Sequence, residues 1–417
     1  MDSTVTAREA AFLSLKKIAS EHRYSNLETD AAIKKHGLAG SEKTLYTRLV
    51  YGTVERLITI DYIIGKFSKI PPARIEPSVL AALRLGIYQI IWLDRVPDSA
   101  ACNESVELVK KHSHRGAEGF VNGILRNVAR NKNNLPLPKQ GENGYLEIKY
   151  SLPADVVSLL VSQYGEEQAT GFFEAFNTVP RVTVRVNTIV SSVGELEKEL
   201  DCERTSCPNG LILNGTPDMS DGRFFVQDLS SQKCVAAVGA KPGETVIDVC
   251  ACPGGKSFGM AMDMQNRGRI ISLDLHTSKL GLIEKGAEKL GIGIIETAQV
   301  DGKTGKEEYD GIADRVLCDV PCSGLGVIAK KPEIRFKPVE DISRLPETQF
   351  AILKRSADYV KPGGRLVYST CTLNKNENRA VVDRFLSESS LFTLTKDRTL
   401  FPSADTDGFY YAVMERI

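Results

Sequence analysis

The chain has 417 residues, 42% of them hydrophobic, and this length exceeds what one hydrophobic core usually supports, so we expect two or three domains. No apolar run approaches the length of a membrane span, and residues 1–28 contain no apolar core of the signal-peptide type, which predicts a cytoplasmic protein without membrane partners. Nine cysteines, an odd number without the paired spacing of a zinc site, argue against both a disulfide framework and a bound metal.

Residues 6–131 carry apolar side chains at helical spacing, interrupted by glycine or proline within 37–40, 71–77 and 96–99. This pattern predicts an all-helical domain over residues 1–140. The whole chain has a net charge of zero, but residues 1–140 contain 21 Lys plus Arg against 14 Asp plus Glu. The remaining residues contain 32 Lys plus Arg against 39 Asp plus Glu. The basic excess predicts contact with phosphate, and a chance excess on a solvated surface is the alternative.

A second region, residues 145–223, follows a segment of linker composition between residues 131 and 144. Residues 152–177 predict two helices, the alternating residues 181–187 predict a strand, and residues 193–200 predict a short helix. We therefore expect a small α+β module. Arg181 and Arg185 share one face of its strand, where they either reach a backbone phosphate or are solvated.

From residue 224 to residue 417 strand and helix patterns alternate, which predicts an α/β domain with a mainly parallel, doubly wound sheet. The predicted strands cover residues 245–249, 270–273, 294–299, 315–317 and 365–368, with helices such as 277–290 and 346–360 between them. The closing segment 408–414 predicts a last strand that pairs antiparallel at the edge of the sheet.

Three successive strand ends of this region carry features of a cofactor pocket. The turn from Cys252 to Lys256 contains Pro253, Gly254 and Gly255, where the backbone can approach a ligand closely. It lacks the glycine spacing of a dinucleotide fingerprint or a P-loop. Asp274 and Asp301 follow the next two strands, and a carboxylate at such a position suits ribose hydroxyls. Each acid alone is more often a turn former, but together they favour an S-adenosylmethionine pocket.

Two cysteines lie just after predicted strands, Cys322 in the segment 319–324 and Cys371 in the segment 369–372. Because ligands bind outside the carboxyl ends of strands in an open α/β sheet, both thiols could face one substrate. A thiolate suits addition to C6 of a pyrimidine, which methylation of C5 requires. Asp319 and Lys256 are the polar residues best placed to assist. The residues alone leave open which cysteine attacks, and the alternative is that both pack beneath strand ends.

Longer motifs resemble those of the RsmB/NOL1/NSUN family of RNA cytosine-C5 methyltransferases, and most closely those of its bacterial RsmB branch. The helical region is similar to the NusB-like RNA-binding domain of that branch through residues 83–89, 96–98 and 120–126. The middle module is similar to the family's small domain through residues 180–187 and 225–232. The resemblance implies a doubly wound, Rossmann-like methyltransferase core over residues 224–417, behind an all-helical NusB-like domain and a small α+β module.

The resemblance also implies roles for single residues. It makes Cys371 the nucleophile and Cys322 the residue that helps to release the product. The implied cofactor-binding residues are Cys250, Ala251, Cys252, Pro253, Gly254, Gly255, Lys256, Asp274, Asp301 and Asp319. Asp319 would then touch both the cofactor and the base. Cys252 departs from the alanine that is usual before this proline, and we expect cofactor binding to survive with an additional oxidisable thiol.

The implied reaction transfers a methyl group from S-adenosyl-L-methionine to C5 of a cytosine in small-subunit (16S) ribosomal RNA. A flipped cytosine would enter the pocket. A transfer RNA substrate and a non-catalytic RNA-binding assembly factor are the alternatives. Methylation of DNA would place the nucleophile at Cys322 and leave Cys371 unexplained. We expect a monomer.

Overall fold

The computed structural model describes residues 5–21, 25–215 and 218–417, without the side chains of residues 19–27. The chain forms two compact units. The first unit comprises Met1–Val161 with Lys331–Phe336, and the second comprises Ser162–Lys330 with Lys337–Ile417. The boundaries of the three domains predicted from the sequence, at residues 140, 145 and 223, stay a prediction.

The first unit is helical, as the apolar spacing predicts. Its helices are α1 (Ala7–Glu21), α2 (Ser25–His36), α3 (Gly40–Glu55), α4 (Leu57–Phe67), α5 (Pro77–Trp92), α6 (Asp98–His112), α7 (Ala117–Asn131), α8 (Tyr145–Tyr150) and α9 (Ala154–Tyr164), whose last three residues belong to the second unit. Helix α5 begins at Pro77, and the side chain of Glu76 caps it by accepting hydrogen bonds from the backbone N–H groups of Ser78 and Val79. Fully buried apolar side chains from several helices form one core, among them Phe12 and Leu83.

A six-residue segment from late in the chain, Lys331–Phe336, packs as part of this helical unit. Its Arg335 is completely buried. The guanidinium Nη1 donates to the carbonyl oxygens of Glu55 at 2.6 Å and Ser151 at 2.9 Å, and Nε donates to that of Pro332 at 3.1 Å. Burial lowers the pKa of Arg335 to about 10. These carbonyl contacts satisfy a cation that would otherwise be costly to bury.

The second unit begins with α10 (Glu166–Phe176) and a small antiparallel sheet. Its strands are β1 (Val182–Val186), β2 (Cys202–Arg204), β3 (Gly210–Leu213) and β4 (Phe224–Val226), in the order β2-β3-β1-β4. Helix α11 (Val193–Glu199) begins with a capping box formed by Ser192 and Glu195. The predicted α+β module is therefore present, although only β1 of its four strands was recognised. The others are three or four residues long, too short for a clear alternating pattern.

Neither interpretation of Arg185 is correct. This residue is only 4% exposed, and its Nη2 donates to the Asp263 carboxylate at 2.5 Å. Arg185 is therefore neither solvated nor available to a phosphate. Arg181 is partly exposed but forms ion pairs with Glu203 and Asp405. A strand that packs against a neighbouring layer can bury an arginine if an acid accompanies it, and local alternation cannot reveal that acid.

The large sheet of the second unit has seven strands. They are β5 (Thr245–Asp248), β6 (Arg269–Asp274), β7 (Ile295–Gln299), β8 (Ala313–Asp319), β9 (Val360–Thr370), β10 (Phe392–Leu400) and β11 (Phe409–Arg416), in the order β10-β11-β9-β8-β5-β6-β7. The helices around it are α12 (Leu229–Val238), α13 (Gly255–Asp263), α14 (Thr277–Lys289), α15 (Val339–Ile342), α16 (Leu345–Asp358) and α17 (Arg379–Glu388). Strands β5 to β9 pair in parallel, as predicted.

Apolar clusters cover both faces of this sheet, which makes it doubly wound. Adjacent residues of one strand, Val246 and Ile247, belong to different clusters, as the alternation of side chains in a strand requires. The predicted last strand exists as β11, but it does not form the sheet edge. It pairs antiparallel with both β9 and β10, and β10 forms the edge instead. The sequence of β10, with Lys396, Asp397 and Arg398 at its centre, masks its strand pattern.

The carboxyl ends of β9, β8, β5, β6 and β7 lie in this order along one edge of the sheet. The loops after these strands contain the cysteines, the glycine-rich turn and the acids singled out in the sequence. A ligand-binding or catalytic site is therefore expected at this edge of the sheet. In the part of the chain that the structure describes, no helix is long and apolar enough to cross a membrane.

Candidate active site at the carboxyl ends of the parallel strands

The two motif cysteines lie side by side. Cys371 follows β9 directly and Cys322 lies three residues beyond β8, its parallel neighbour. Their Sγ atoms are 3.3 Å apart. The hydrogen bond with Cys371 and burial together raise the pKa of the Cys322 thiol. One crevice thus contains two thiols, of which Cys322 is kept protonated at neutral pH.

Asp319 and Lys256 form an ion pair beside the thiols. Asp319 is the last residue of β8, and its Oδ2 accepts a hydrogen bond from Lys256 Nζ at 2.6 Å. Its Oδ1 accepts a second one from Ser369 Oγ at 2.7 Å. Burial alone would lower the pKa of Lys256, but the charge of Asp319 outweighs it and raises this pKa. Lys256 is therefore a cation, and it lies 5.3 Å from the centre of the Phe409 ring.

The glycine-rich turn joins β5 to α13. Gly254 has a φ of +106°, a conformation that L side chains rarely adopt, and a Cβ there would collide with the ring of Phe258. Gln227 Nε2 donates to the carbonyl oxygen of Gly255 at 2.7 Å. The conformation of Gly254 and the contact with Gln227 therefore fix the shape of this turn at the carboxyl end of β5.

Asp248 ends β5 and is 1% exposed. Its Oδ2 accepts a hydrogen bond from Ser257 Oγ at 2.7 Å, and Ser257 Oγ lies 2.8 Å from Ser272 Oγ. The other oxygen, Oδ1, is buried and has no hydrogen-bond partner among the described residues. Burial raises the pKa of Asp248 to about 7. A buried acid with an unpartnered oxygen beside a glycine-rich turn is typical of a binding site rather than of a core.

The variant Asp248→Asn is expected to raise the free energy of unfolding at pH 8 by up to about 4 kcal/mol, because about three pKa units, each worth about 1.4 kcal/mol, separate the folded acid from the unfolded one. An acid whose pKa is raised in the folded state is ionised more readily in the unfolded chain, so it lowers stability as the pH rises from about 4 to about 7. The gain should therefore vanish near pH 4. Urea unfolding at several pH values tests this, with the exposed Asp341→Asn as the control. A less stable variant at pH 8 would contradict the expectation.

Asp274 and Asp301 lie at the ends of the next two strands. Asp274 closes β6, is 9% exposed, and accepts a hydrogen bond from the backbone N–H of His276 at 3.0 Å. Asp301 lies two residues after β7 and accepts one from the backbone N–H of Lys303 at 2.9 Å. Each acid thus also stabilises its own turn. Both occupy the edge of the sheet that carries the glycine-rich turn.

The remaining predicted cofactor residues include two further cysteines, Cys250 and Cys252. The Cys250 side chain packs against the apolar cluster on the α16 face of the sheet, and burial raises its pKa well above the ordinary value. Cys252 Sγ contacts the carbonyl oxygen of Lys279 at 3.6 Å. Burial and the neighbouring Asp274 raise the pKa of Cys252 as well. The thiol that replaces the usual alanine is therefore less reactive than a free one.

Sequence reasoning missed two acids at this edge, Asp248 and Glu377. Asp248 carried a signal, since an acid within the apolar run 246–250 is unusual. Glu377 carried none, because it belongs to the polar segment 374–378 and only the fold buries it completely. Among residues 5–21, 25–215 and 218–417, no three His, Cys, Asp or Glu side chains are grouped so as to hold a metal ion.

Comparison with known proteins agrees with this geometry. A family model described as 16S rRNA methyltransferase RsmB/F matches residues 235–415, and one described as the NusB family matches residues 5–130. The probable ribosomal RNA small subunit methyltransferase B of Bacillus subtilis is 36% identical over 398 residues, which cover 92% of this chain and 88% of that protein. The protein of the same name from Synechocystis is 35% identical over 399 residues, which cover 92% of this chain and 90% of that protein. The solved structure of a methyltransferase homolog protein from Pyrococcus horikoshii has a TM-score of 0.59 and 25% sequence identity. The match covers 65% of this chain and 98% of that protein.

The fold and the site at its strand ends define a Rossmann-like methyltransferase that carries an N-terminal NusB domain. The chain belongs to the RsmB/F family of 16S rRNA methyltransferases. Its fold, including the helical domain implied by the motifs at residues 83–89 and 120–126, is the one expected from the sequence.

Proposed function

We propose that this chain transfers a methyl group from S-adenosyl-L-methionine to C5 of a cytosine in small-subunit (16S) ribosomal RNA. The observation that carries the proposal is the pair of thiols, Cys322 and Cys371, 3.3 Å apart at adjacent strand ends next to a glycine-rich turn. The relatives at 35–36% identity are named for ribosomal RNA small subunit methylation, which supports this RNA as the substrate.

The cofactor would occupy the loops after β5, β6 and β7. The turn from Cys250 to Lys256 would line it with backbone, and Asp274 and Asp301 would accept hydrogen bonds from its polar groups. The unpartnered, buried Oδ1 of Asp248 fits a site that a polar ligand completes. When bound, S-adenosyl-L-methionine supplies a methyl group on a sulfonium, which a carbon nucleophile can attack.

Cys371 is the proposed nucleophile, because the family resemblance assigns that role to this position. Its thiolate would add to C6 of the cytosine, which makes C5 nucleophilic toward the methyl group. Lys256, a cation held against Asp319 at 2.6 Å, can face the ring and stabilise the negative charge that develops on it when C6 is attacked. Asp319 would reach both the base and the cofactor because it ends β8. This strand lies between β9, which precedes Cys371, and β5, which precedes the glycine-rich turn.

Cys322 is the proposed release residue. After the methyl transfer, the C5 proton must leave before the bond between C6 and Cys371 can break. The Cys322 sulfur lies 3.3 Å from that of Cys371, so a proton acceptor or carrier at this position is close to the bond that breaks. The raised pKa of Cys322 keeps it a thiol while Cys371 attacks, so Cys322 would give its own proton to water before it accepts the C5 proton.

The helical domain is the proposed RNA-binding part. It has more basic than acidic side chains and matches the NusB family. Phosphate contacts of this kind make affinity fall as salt rises. Monomeric state and cytoplasmic location stay predictions.

The first test is incubation of the protein with labelled S-adenosyl-L-methionine and separated pools of ribosomal and transfer RNA, followed by mapping of 5-methylcytosine. We expect label in small-subunit ribosomal RNA. Label confined to transfer RNA would contradict the proposed substrate and favour a transfer RNA methyltransferase. No label in any RNA, despite cofactor binding and with assembly intermediates included, would favour an assembly factor.

A further inference from the structure

Glu377 is a buried acid for which the proposed reaction has no role. It lies six residues after Cys371, between β9 and α17, and its exposure is 0%. Among the described residues, no Lys, Arg or His forms an ion pair with it. Burying a carboxylate without a cation is costly, so its presence here points to a specific task.

The carboxylate of Glu377 accepts only from N–H donors. Oε2 accepts from the backbone N–H of Ser323 at 2.8 Å and from Gln349 Nε2 at 2.9 Å, and Oε1 accepts from Asn374 Nδ2 at 3.0 Å. The Asn374 amide cannot be flipped so that its oxygen faces Glu377, because Oδ1 accepts a hydrogen bond from Gln163 Nε2 at 2.8 Å. Three donors thus converge on the two oxygens, an arrangement that suits a carboxylate because a carboxylate only accepts.

These contacts hold the two residues on either side of Cys322. Ser323 is bound through its N–H by Glu377, and through its carbonyl oxygen by Lys337 Nζ at 2.9 Å. Pro321 is bound because Gln349 Nε2 also donates to its carbonyl oxygen, at 3.0 Å. The Cys322 loop is therefore attached, through one carboxylate, to the segment that carries Cys371.

A second contact joins the residues that follow the two cysteines. Ser323 Oγ lies 2.7 Å from Thr372 Oγ1, within hydrogen-bond distance. Without Glu377 this bond would be the main side-chain link between the two loops, and the backbone N–H of Ser323 would be buried without an acceptor. Backbone hydrogen bonds fix the loop on either side, from Val320 N–H to the Ser369 carbonyl oxygen at 3.1 Å and from Gly326 N–H to that of Cys371 at 3.0 Å, and Glu377 holds the stretch between them, which contains Cys322.

We propose that Glu377 is a positioning residue that holds the Cys322 loop through its buried carboxylate and thereby sets the Cys322 thiol against Cys371 for the release step. The assignment to the release step rests on the proposed function. The positioning of Cys322 against Cys371 by Glu377 does not rest on it, since this positioning is a property of the free protein.

The test compares Glu377→Gln with Glu388→Gln, a partly exposed glutamate on α17. A glutamine keeps the shape of Glu377 but turns one acceptor into a donor that faces another donor. The first readout is the rate at which a short bifunctional thiol reagent cross-links Cys322 to Cys371 in the free, full-length protein, measured by peptide mass spectrometry. We expect Glu377→Gln to lower this rate about tenfold, as displacement by a fraction of an ångström would, and Glu388→Gln to leave it unchanged.

The second readout is the covalent complex with substrate RNA. Glu377→Gln should slow its breakdown more than its formation, so that it persists. A folded Glu377→Gln protein that cross-links at the wild-type rate overturns the proposal. If that variant does not fold, Glu377→Asp decides, because it keeps the carboxylate but, one methylene shorter, withdraws it from the Ser323 N–H: slower cross-linking supports the proposal, and an unchanged rate overturns it. Slower cross-linking in Glu377→Gln, in a protein whose wild type methylates no RNA, supports the positioning and refutes the proposed function.

Discussion

Replacing Cys371 by alanine is expected to abolish methyl transfer, with a loss of at least about 10⁴-fold in turnover. Without the thiolate, C6 of the cytosine has no covalent partner and C5 stays a poor nucleophile. The cofactor loops do not include Cys371, so the affinity for S-adenosyl-L-methionine should change little. Single-turnover methylation and calorimetric titration with the cofactor would measure the two quantities separately.

A matched control for this experiment is Cys234→Ala. Cys234 is completely buried in α12, and burial raises its pKa to about 12, so it cannot act as a thiolate. We expect that variant to lose some stability and to keep most of its turnover. If Cys371→Ala still formed a covalent complex with RNA, the assignment of the nucleophile would be wrong.

Replacing Cys322 by alanine is expected to trap the enzyme on its RNA. The first covalent bond would still form at Cys371, but the removal of the C5 proton would lose the side chain proposed to assist it, and the complex would accumulate. We expect turnover to fall by roughly 10²-fold or more, the usual contribution of a proton-transfer group. Denaturing gel electrophoresis of protein mixed with RNA and cofactor would show the species of higher mass.

The double variant Cys322→Ala with Cys371→Ala provides the control, because it should form no such species. Accumulation in Cys371→Ala instead of Cys322→Ala would reverse the two roles. The 3.3 Å between the sulfurs makes that reversal chemically reasonable, so the experiment distinguishes two real possibilities.

Much of the architecture could be predicted from the sequence, because long segments with a regular apolar pattern can be recognised as helices or strands. The helical character of residues 6–131 was expected, and the strands β5 to β8 were expected within two residues of their observed ends, whereas β9 begins at Val360, five residues before its predicted start. The carboxyl ends of those strands had to meet at one edge once the sheet was parallel, which brought Cys322, Cys371, Asp274 and Asp301 together. Where pattern was weak, prediction failed: β10 has charged residues at its centre, and β2, β3 and β4 are very short.

By itself the sequence determined the fold class, the order of the elements and the residue types available for chemistry, since these follow from periodicity and from motifs that are contiguous in the chain. Only the tertiary structure decided which polar groups were buried and with what partner. It placed Arg185 against Asp263, Lys256 against Asp319, and Glu377 beneath Ser323. The partners in these contacts are 54 to 78 residues apart, so burial and packing, rather than any local pattern, select them.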